Sequence, residues 1–293
     1  MINIETHYVG EITDTHRWES FTHRDDDIFI CTPPKSGTTW TQAICASLIF
    51  GTTEHGHSPA YISPWIDAKL DPLEDYLKIV DAQPHRRFIK THTPLDGIPY
   101  FESCQYLAVF RDPRDAYLSG NNHRDNMNNE ELATSTFPSG ENAFEFWLTG
   151  ENKPGGWDKW TLDTLVHLFK TYWDQRDAEN VHLFHYSDMK QDLPAAISTM
   201  AMVLGYTYSQ AEIDAFAEAA GFDNMKKHAG QFAPQANVGF WKSDSSFFNR
   251  GEHSGWKDAF SDDQIEAFER RIHALLDEEQ VDWLLNGTLR QSG

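Results

Sequence analysis

Four short apolar runs constrain the fold of this chain more than any other feature: DIFIC (27–31), RRFIK (86–90), QYLAVF (105–110) and VHLFHY (181–186). By length, apolar content and flanking breakers each reads as a buried strand. Helical patterns alternate with them. One covers 38–50, and another covers 113–122, with Pro113 at a first-turn position. In 161–176, Leu162, Leu165, Val166, Phe169, Tyr172 and Trp173 share one helical face. Ser209-x-x-Glu212 and Ser261-x-x-Gln264 open two later helices as capping boxes, the first expected to stop at Gly221. Strands alternating with helices imply an α/β fold of three layers, a central and mainly parallel sheet flanked by helices. With no internal repeat or low-complexity linker, one domain over 1–293 is expected. The polar, Asn-rich segment 121–140 reads as a mobile loop.

Charge narrows the partners. The chain carries 24 Lys and Arg against 45 Asp and Glu, a net charge of −21. Such a surface repels nucleic acid and anionic lipid, so neither is an expected partner, and a bound polyanion needs a locally positive pocket. The apolar stretch AICASLIF (43–50) is too short to span a bilayer, and MINIETHYVGEITD is polar and acidic, unlike a secretory signal. Cys31, Cys45 and Cys104 cannot all pair, and none has a metal-ligand spacing. Reduced, buried thiols in a cytoplasmic protein are the expectation.

The cations then deserve tracking singly. FICTPPKSGTTWTQAI (29–44) runs strand, turn, helix, the way phosphate cradles are built, yet it lacks the nucleotide-kinase order GxxxxGK[ST]. Ser36, Gly37, Thr38 and Thr39 bring successive amides to a helix N-terminus, Lys35 adds charge, and Trp40 is placed to stack on a base. A surface turn with a solvated lysine is the plainer alternative for such a loop taken alone. FIKTHTP (88–94) puts Lys90 and His92 on one face at a strand end, where a neutral imidazole can take a hydroxyl proton. In YLAVFRDPRDAYLSG (106–120), Arg111 leaves a buried strand, whereas Arg114 is the one expected to be satisfied by Asp112 or Asp115. SSFFNRGEHSGWKD (245–258) offers Arg250-Gly251, a weak signal by itself. Four anion-competent stations on separate elements suggest a ligand with more than one phosphate group. An ATP-dependent small-molecule kinase would use a similar cradle, but it should also show GK[ST] and a strand-end Asp for magnesium.

Taken in order, TPPKSGTTW, IKTHTP, FRDPRDAYLS, HYSDMKQDLP and NRGEHSGWK resemble the cytosolic sulfotransferases from about residue 20 to 270. The resemblance implies a P-loop-like fold and transfer of a sulfuryl group, without a metal, to the hydroxyl or amine of a small-molecule acceptor. The donor it implies is 3′-phosphoadenosine 5′-phosphosulfate (PAPS), released as adenosine 3′,5′-bisphosphate (PAP). It assigns Lys35, Ser36, Gly37, Thr38 and Thr39 to the 5′-phosphosulfate and Trp40, Tyr186 and Phe222 to adenine. It assigns Arg111, Ser119, Arg250 and Gly251 to the 3′-phosphate, and His92 to the catalytic base, with Lys35 and Lys90 meeting charge on the transferring group. This chain departs from the family pattern at Asn249, where an Arg is usual, at Ser254-Gly255, and at Ala220, where a Thr often meets adenine. The family's dimer motif appears as Lys257-x-x-x-Ser261-Asp262-x-x-x-Glu266, with Asp in place of an apolar residue, so that contact is not expected to form. Phe137, Phe144, Trp147, Phe240, Trp241, Phe247 and Phe248 are expected near the mouth of a partly apolar pocket for an aromatic or alkyl acceptor.

Overall fold

The strands alternate their side chains between two cores. The computed structural model describes residues 4–137, 139–151, 153–248 and 254–288. Within it β1 (Ile28–Cys31), β2 (Phe88–Thr91), β3 (Gln105–Phe110) and β4 (Val181–His185) form one all-parallel sheet in the order β2-β1-β3-β4. Phe29, Cys31, Ile89, Tyr106, Ala108 and Phe110 enter one core, while Ile28, Ile30, Phe88, Leu107 and Val109 enter the other. Burial on both faces is why these strands read as unbroken apolar runs rather than alternating ones.

Helices cover both faces. α1 (Thr38–Phe50) brings Ile44, Cys45 and Leu48 to the second core. α2 (Pro113–Asn126) follows β3, with Asp112 as its N-cap accepting from the Arg114 amide. α3 (Leu162–Trp173) lays Leu162, Leu165, Phe169 and Tyr172 on the first core. Capping boxes at Ser209 and Ser261 are both formed. All three cysteines are free and buried, and no helix among the described residues is long and apolar enough to cross a membrane.

Two expectations need correction. β2 begins at Phe88, not at 86, because Arg87 turns inward. Its guanidinium is 1% exposed and meets the fully buried Asp27 through Nε at 2.8 Å and Nη2 at 2.5 Å, clamping β2 to the entry of β1. The segment 121–140 is largely helical. α2 continues to Asn126, and a second helix, Glu130–Thr136, starts at Asn129, whose side chain caps the Leu132 amide. The polar residues of that segment are therefore caps and helix surface rather than loop. The helix that opens at Ser209 stops just before Gly221, as expected. Gln210–Ala219 closes through Ala220 in the right-handed region, and Gly221, at φ −60°, opens the next helix, Phe222–Lys227.

Candidate active site

In this strand order the chain reverses direction across the sheet between β1 and β3. A crevice opens there beyond the carboxyl ends of the strands. Each strand delivers chemistry to that edge. β1 leads to Lys35–Trp40, β2 carries Lys90 and leads to His92, β3 leads to Arg111, and β4 leads to Tyr186. A single cavity of about 1080 Å³ is lined by Lys35, Gly37, Thr38, Thr39, Trp40, Lys90, His92, Arg111, Ser119, Tyr186 and Phe222. Of the described residues assigned to donor binding or catalysis, all line it except Ser36, which is buried within the loop beneath. Arg250 and Gly251 lie outside the described residues.

The β1–α1 loop is held in backbone conformations that L-residues rarely adopt. Lys35 has φ +69°, and Gly37, the N-cap of α1, has φ +106°. These angles fold the loop over the N-terminus of α1, so that amides and the positive helix end face one volume. A side chain at Gly37 would meet the Tyr186 ring at 3.2 Å. The buried hydroxyl of Ser36 makes no hydrogen bond among the described residues. Non-glycine left-handed backbone of this kind is uncommon and clusters at binding sites.

Electrostatically the cavity brings Lys35, Lys90 and Arg111 close enough for their charges to act on one another. Burial first, then the charges of Arg111 and Lys90, lower Lys35 to about 7. Burial also lowers Lys90 to about 8, opposed by Asp67. The Lys35 Nζ is 2.8 Å from His123 Nδ1 and 4.8 Å from the centre of the Phe247 ring. Arg111 donates to the Lys35 carbonyl at 3.3 Å and lies over the Tyr186 ring at 4.4 Å. Arg114, as expected, is taken by Asp112 at 2.8 Å and packs on Trp256. An anionic ligand would relieve the repulsion among Lys35, Lys90 and Arg111. With the unbonded Ser36 hydroxyl, that makes the residues present a fit for phosphate or sulfate groups.

His92 stands against this cluster. Its Nδ1 donates to the Thr32 carbonyl at 2.7 Å, which leaves Nε2 without a proton. Trp65 presses edge-on against the imidazole at 4.6 Å, and the Trp157 indole donates to the His92 carbonyl at 3.3 Å. Burial, followed by the charge of Lys90, lowers His92 to about 3, so the ring is neutral across the physiological range. The Thr32 hydroxyl meets that of Thr38 at 2.5 Å, tying the strand end to the first turn of α1.

At the other end Trp40 donates through Nε1 to the Ala220 carbonyl at 2.8 Å and packs on Tyr186 with ring centres 5.2 Å apart. Phe222 meets Phe248 at 6.4 Å. Phe137, Phe240, Trp241, Phe247 and Phe248 line the cavity as expected, but Phe144 and Trp147 do not. Those two pack with Tyr117, Phe260 and Phe268 in the first core. Sequence reading also passed over His123, Trp65 and Thr32. Only Trp65 carried a local signal, an aromatic directly after Pro64.

The family model described as the sulfotransferase domain matches residues 25–280. A glycolipid sulfotransferase of Mycobacterium bovis (strain BCG / Pasteur 1173P2) is 34% identical over 96% of this chain and 94% of its own length. An amine sulfotransferase of Oryctolagus cuniculus is 29% identical over 86% of this chain and 81% of its own. Among solved structures, mouse sulfotransferase SULT7A1 complexed with PAP superposes with a TM-score of 0.71 at 22% identity, covering 91% of this chain and 89% of that one. Retinol dehydratase in a complex with retinol and PAP also reaches 0.71, at 21% identity, covering 91% and 87%. These two structural likenesses establish the fold.

Proposed function

This chain belongs to the sulfotransferase family, and from that premise we propose that it moves a sulfuryl group from PAPS to the hydroxyl, or amine, of a small acceptor with His92 as general base. The carrying observation is the hydrogen bond from His92 Nδ1 to the Thr32 carbonyl, which keeps Nε2 as a proton acceptor beside a cluster of cations. In the proposed step the acceptor oxygen forms a bond to sulfur while its proton passes to Nε2. The bond from sulfur to the bridging oxygen breaks, and its electron pair stays with the 5′-phosphate of PAP.

Lys35 and Lys90 meet the negative charge on the bridging and peripheral oxygens, and the amides of Gly37 to Thr39 act as an oxyanion hole. On this reading the chain's own cations, rather than a metal, balance the donor. Arg111 and Ser119 take the 3′-phosphate, joined by Arg250 and Gly251, and Trp40, Tyr186 and Phe222 enclose the adenine. At about 1080 Å³ the cavity exceeds what one drug-sized ligand fills, which supports donor and acceptor bound together. Asp262 is exposed in the first turn of Asp262–Leu275, where a charge disfavours the family's small dimer contact.

The aromatic wall supports an acceptor with an aromatic or alkyl body. A longer amphiphile, of the class named for the mycobacterial relative, is favoured by one specific feature. Tyr61, Leu70 and Val238 line the same cavity yet are 64%, 39% and 69% exposed, an apolar rim along which a chain could leave. Incubation with sulfur-labelled PAPS and a panel of phenols, alkyl alcohols, amines and glycolipids tests the proposal. Label should pass to at least one class and none should move without acceptor. Phosphate transfer from ATP with magnesium, and no label transfer to any member, would overturn it.

A further inference from the structure

One polar side chain in the aromatic wall has no part in the reading above. His123 lies one helical turn beyond Ser119 on α2, and both line the cavity. Its ring stands 5.5 Å from Phe137, 4.7 Å from Trp241 and 5.7 Å from Phe247, so it occupies a place shaped for an aromatic residue. What distinguishes it from one is Nδ1, 2.8 Å from the Nζ of Lys35. Burial and the charges of Lys35, Lys90 and His92 hold the imidazole well below its usual range, and hence neutral. A neutral ring accepts there from the ammonium, which places its own proton on Nε2.

We propose that His123 is a positioning residue for the donor loop: through Nδ1 it holds the ammonium of Lys35, in its charged form, at the donor end of the cavity. The inference rests on the sulfotransferase reading and refines it. Of the other groups that face this ammonium, the two cations repel it, and the ring face attracts it without offering a lone pair. These groups are Arg111 from the end of β3, Lys90 from β2 and the Phe247 ring, with His92 neutral nearby. His123 supplies the lone pair that this surrounding otherwise lacks, so its loss makes the lysine give up its proton at lower pH.

The test is PAP affinity against pH for the wild type, His123→Phe and His123→Asn. Phenylalanine fits the aromatic wall but offers no acceptor, whereas asparagine restores a carbonyl oxygen. For each unit by which the lysine's pKa falls, His123→Phe should bind PAP about tenfold more weakly than wild type at pH 8.5. The two should converge near pH 5.5, and His123→Asn should track wild type throughout. Curves for wild type and His123→Phe that stay parallel at every pH would overturn the inference, since a packing role alone predicts that. Failure of wild type to bind PAP at any pH would instead sink the donor assignment, and this inference with it. If His123→Phe proves unstable, the side-chain carbon shift of Lys35, titrated in wild type and His123→Ala, reads the ammonium directly. A lower midpoint in the variant supports the proposal, and an unchanged midpoint overturns it.

Discussion

The Nδ1 of His92 lies 2.7 Å from the carbonyl oxygen of Thr32, the residue next after β1. A carbonyl only accepts, so this contact fixes the neutral tautomer with Nε2 free of a proton, which is what the proposed general base requires. Replacing His92 by alanine should lower turnover about a hundred- to ten-thousand-fold, the usual worth of a positioned general base. PAP affinity, measured by calorimetry, should change less than about threefold, because the lysines and Arg111 remain in place.

The pH dependence follows from the same cluster. On the proposed assignment donor capture needs Lys35 and Lys90 charged, and their lowered values of about 7 and about 8 mean that both lose charge as pH rises through that range in the free enzyme. The ratio kcat/KM for the donor, which reports the free enzyme, should therefore fall on the alkaline side between about pH 7 and 8. His92, lowered to about 3, sets no acid limb above pH 5. A profile level to pH 9.5 would contradict this assignment.

Gly37 tests the loop geometry. At φ +106°, with the Tyr186 ring 3.2 Å from where a Cβ would stand, alanine must strain the backbone and move the ring. Left-handed backbone costs an L-residue about 1–2 kcal/mol, so Gly37→Ala should lower the melting temperature. It should also weaken PAP binding, which thermal melts with and without PAP would measure.

Stability apart from function is carried in part by Arg87 and Asp27, a pair 1% and 0% exposed. Removing one partner of a buried pair typically costs about 3–5 kcal/mol, since the other charge is left without compensation. Urea unfolding of Arg87→Leu should show that loss, with the slope unchanged if both states keep their compactness.

Much of this was legible in the amino-acid order, for reasons that differ by element. The apolar runs and their breakers are local signals, so the four strands were readable, as was the two-residue period that puts Lys90 and His92 at one edge. Strand order is a long-range property, and placing the crevice between β1 and β3 needed the structure. His123 was missed because its segment is polar and its partner, Lys35, is 88 residues away. Phe144 and Trp147 were misplaced because aromatic content does not say which core a ring fills. Arg87 was read as strand because its burial depends on Asp27, across the sheet.

The central claim is that cations from separate strand ends grip both ends of one adenylate, and paired titrations of PAP and AMP, with Arg111→Ala beside wild type, test it most directly. PAP should bind wild type far better than AMP, and at a hundredfold excess over its dissociation constant it should stabilise the fold by about 2.7 kcal/mol. Arg111→Ala should cost PAP about 1.5–3 kcal/mol, the worth of a charge-assisted contact, and leave AMP nearly unaffected. Equal affinity of wild type for PAP and AMP, or ATP with magnesium binding as tightly as PAP, would contradict the account.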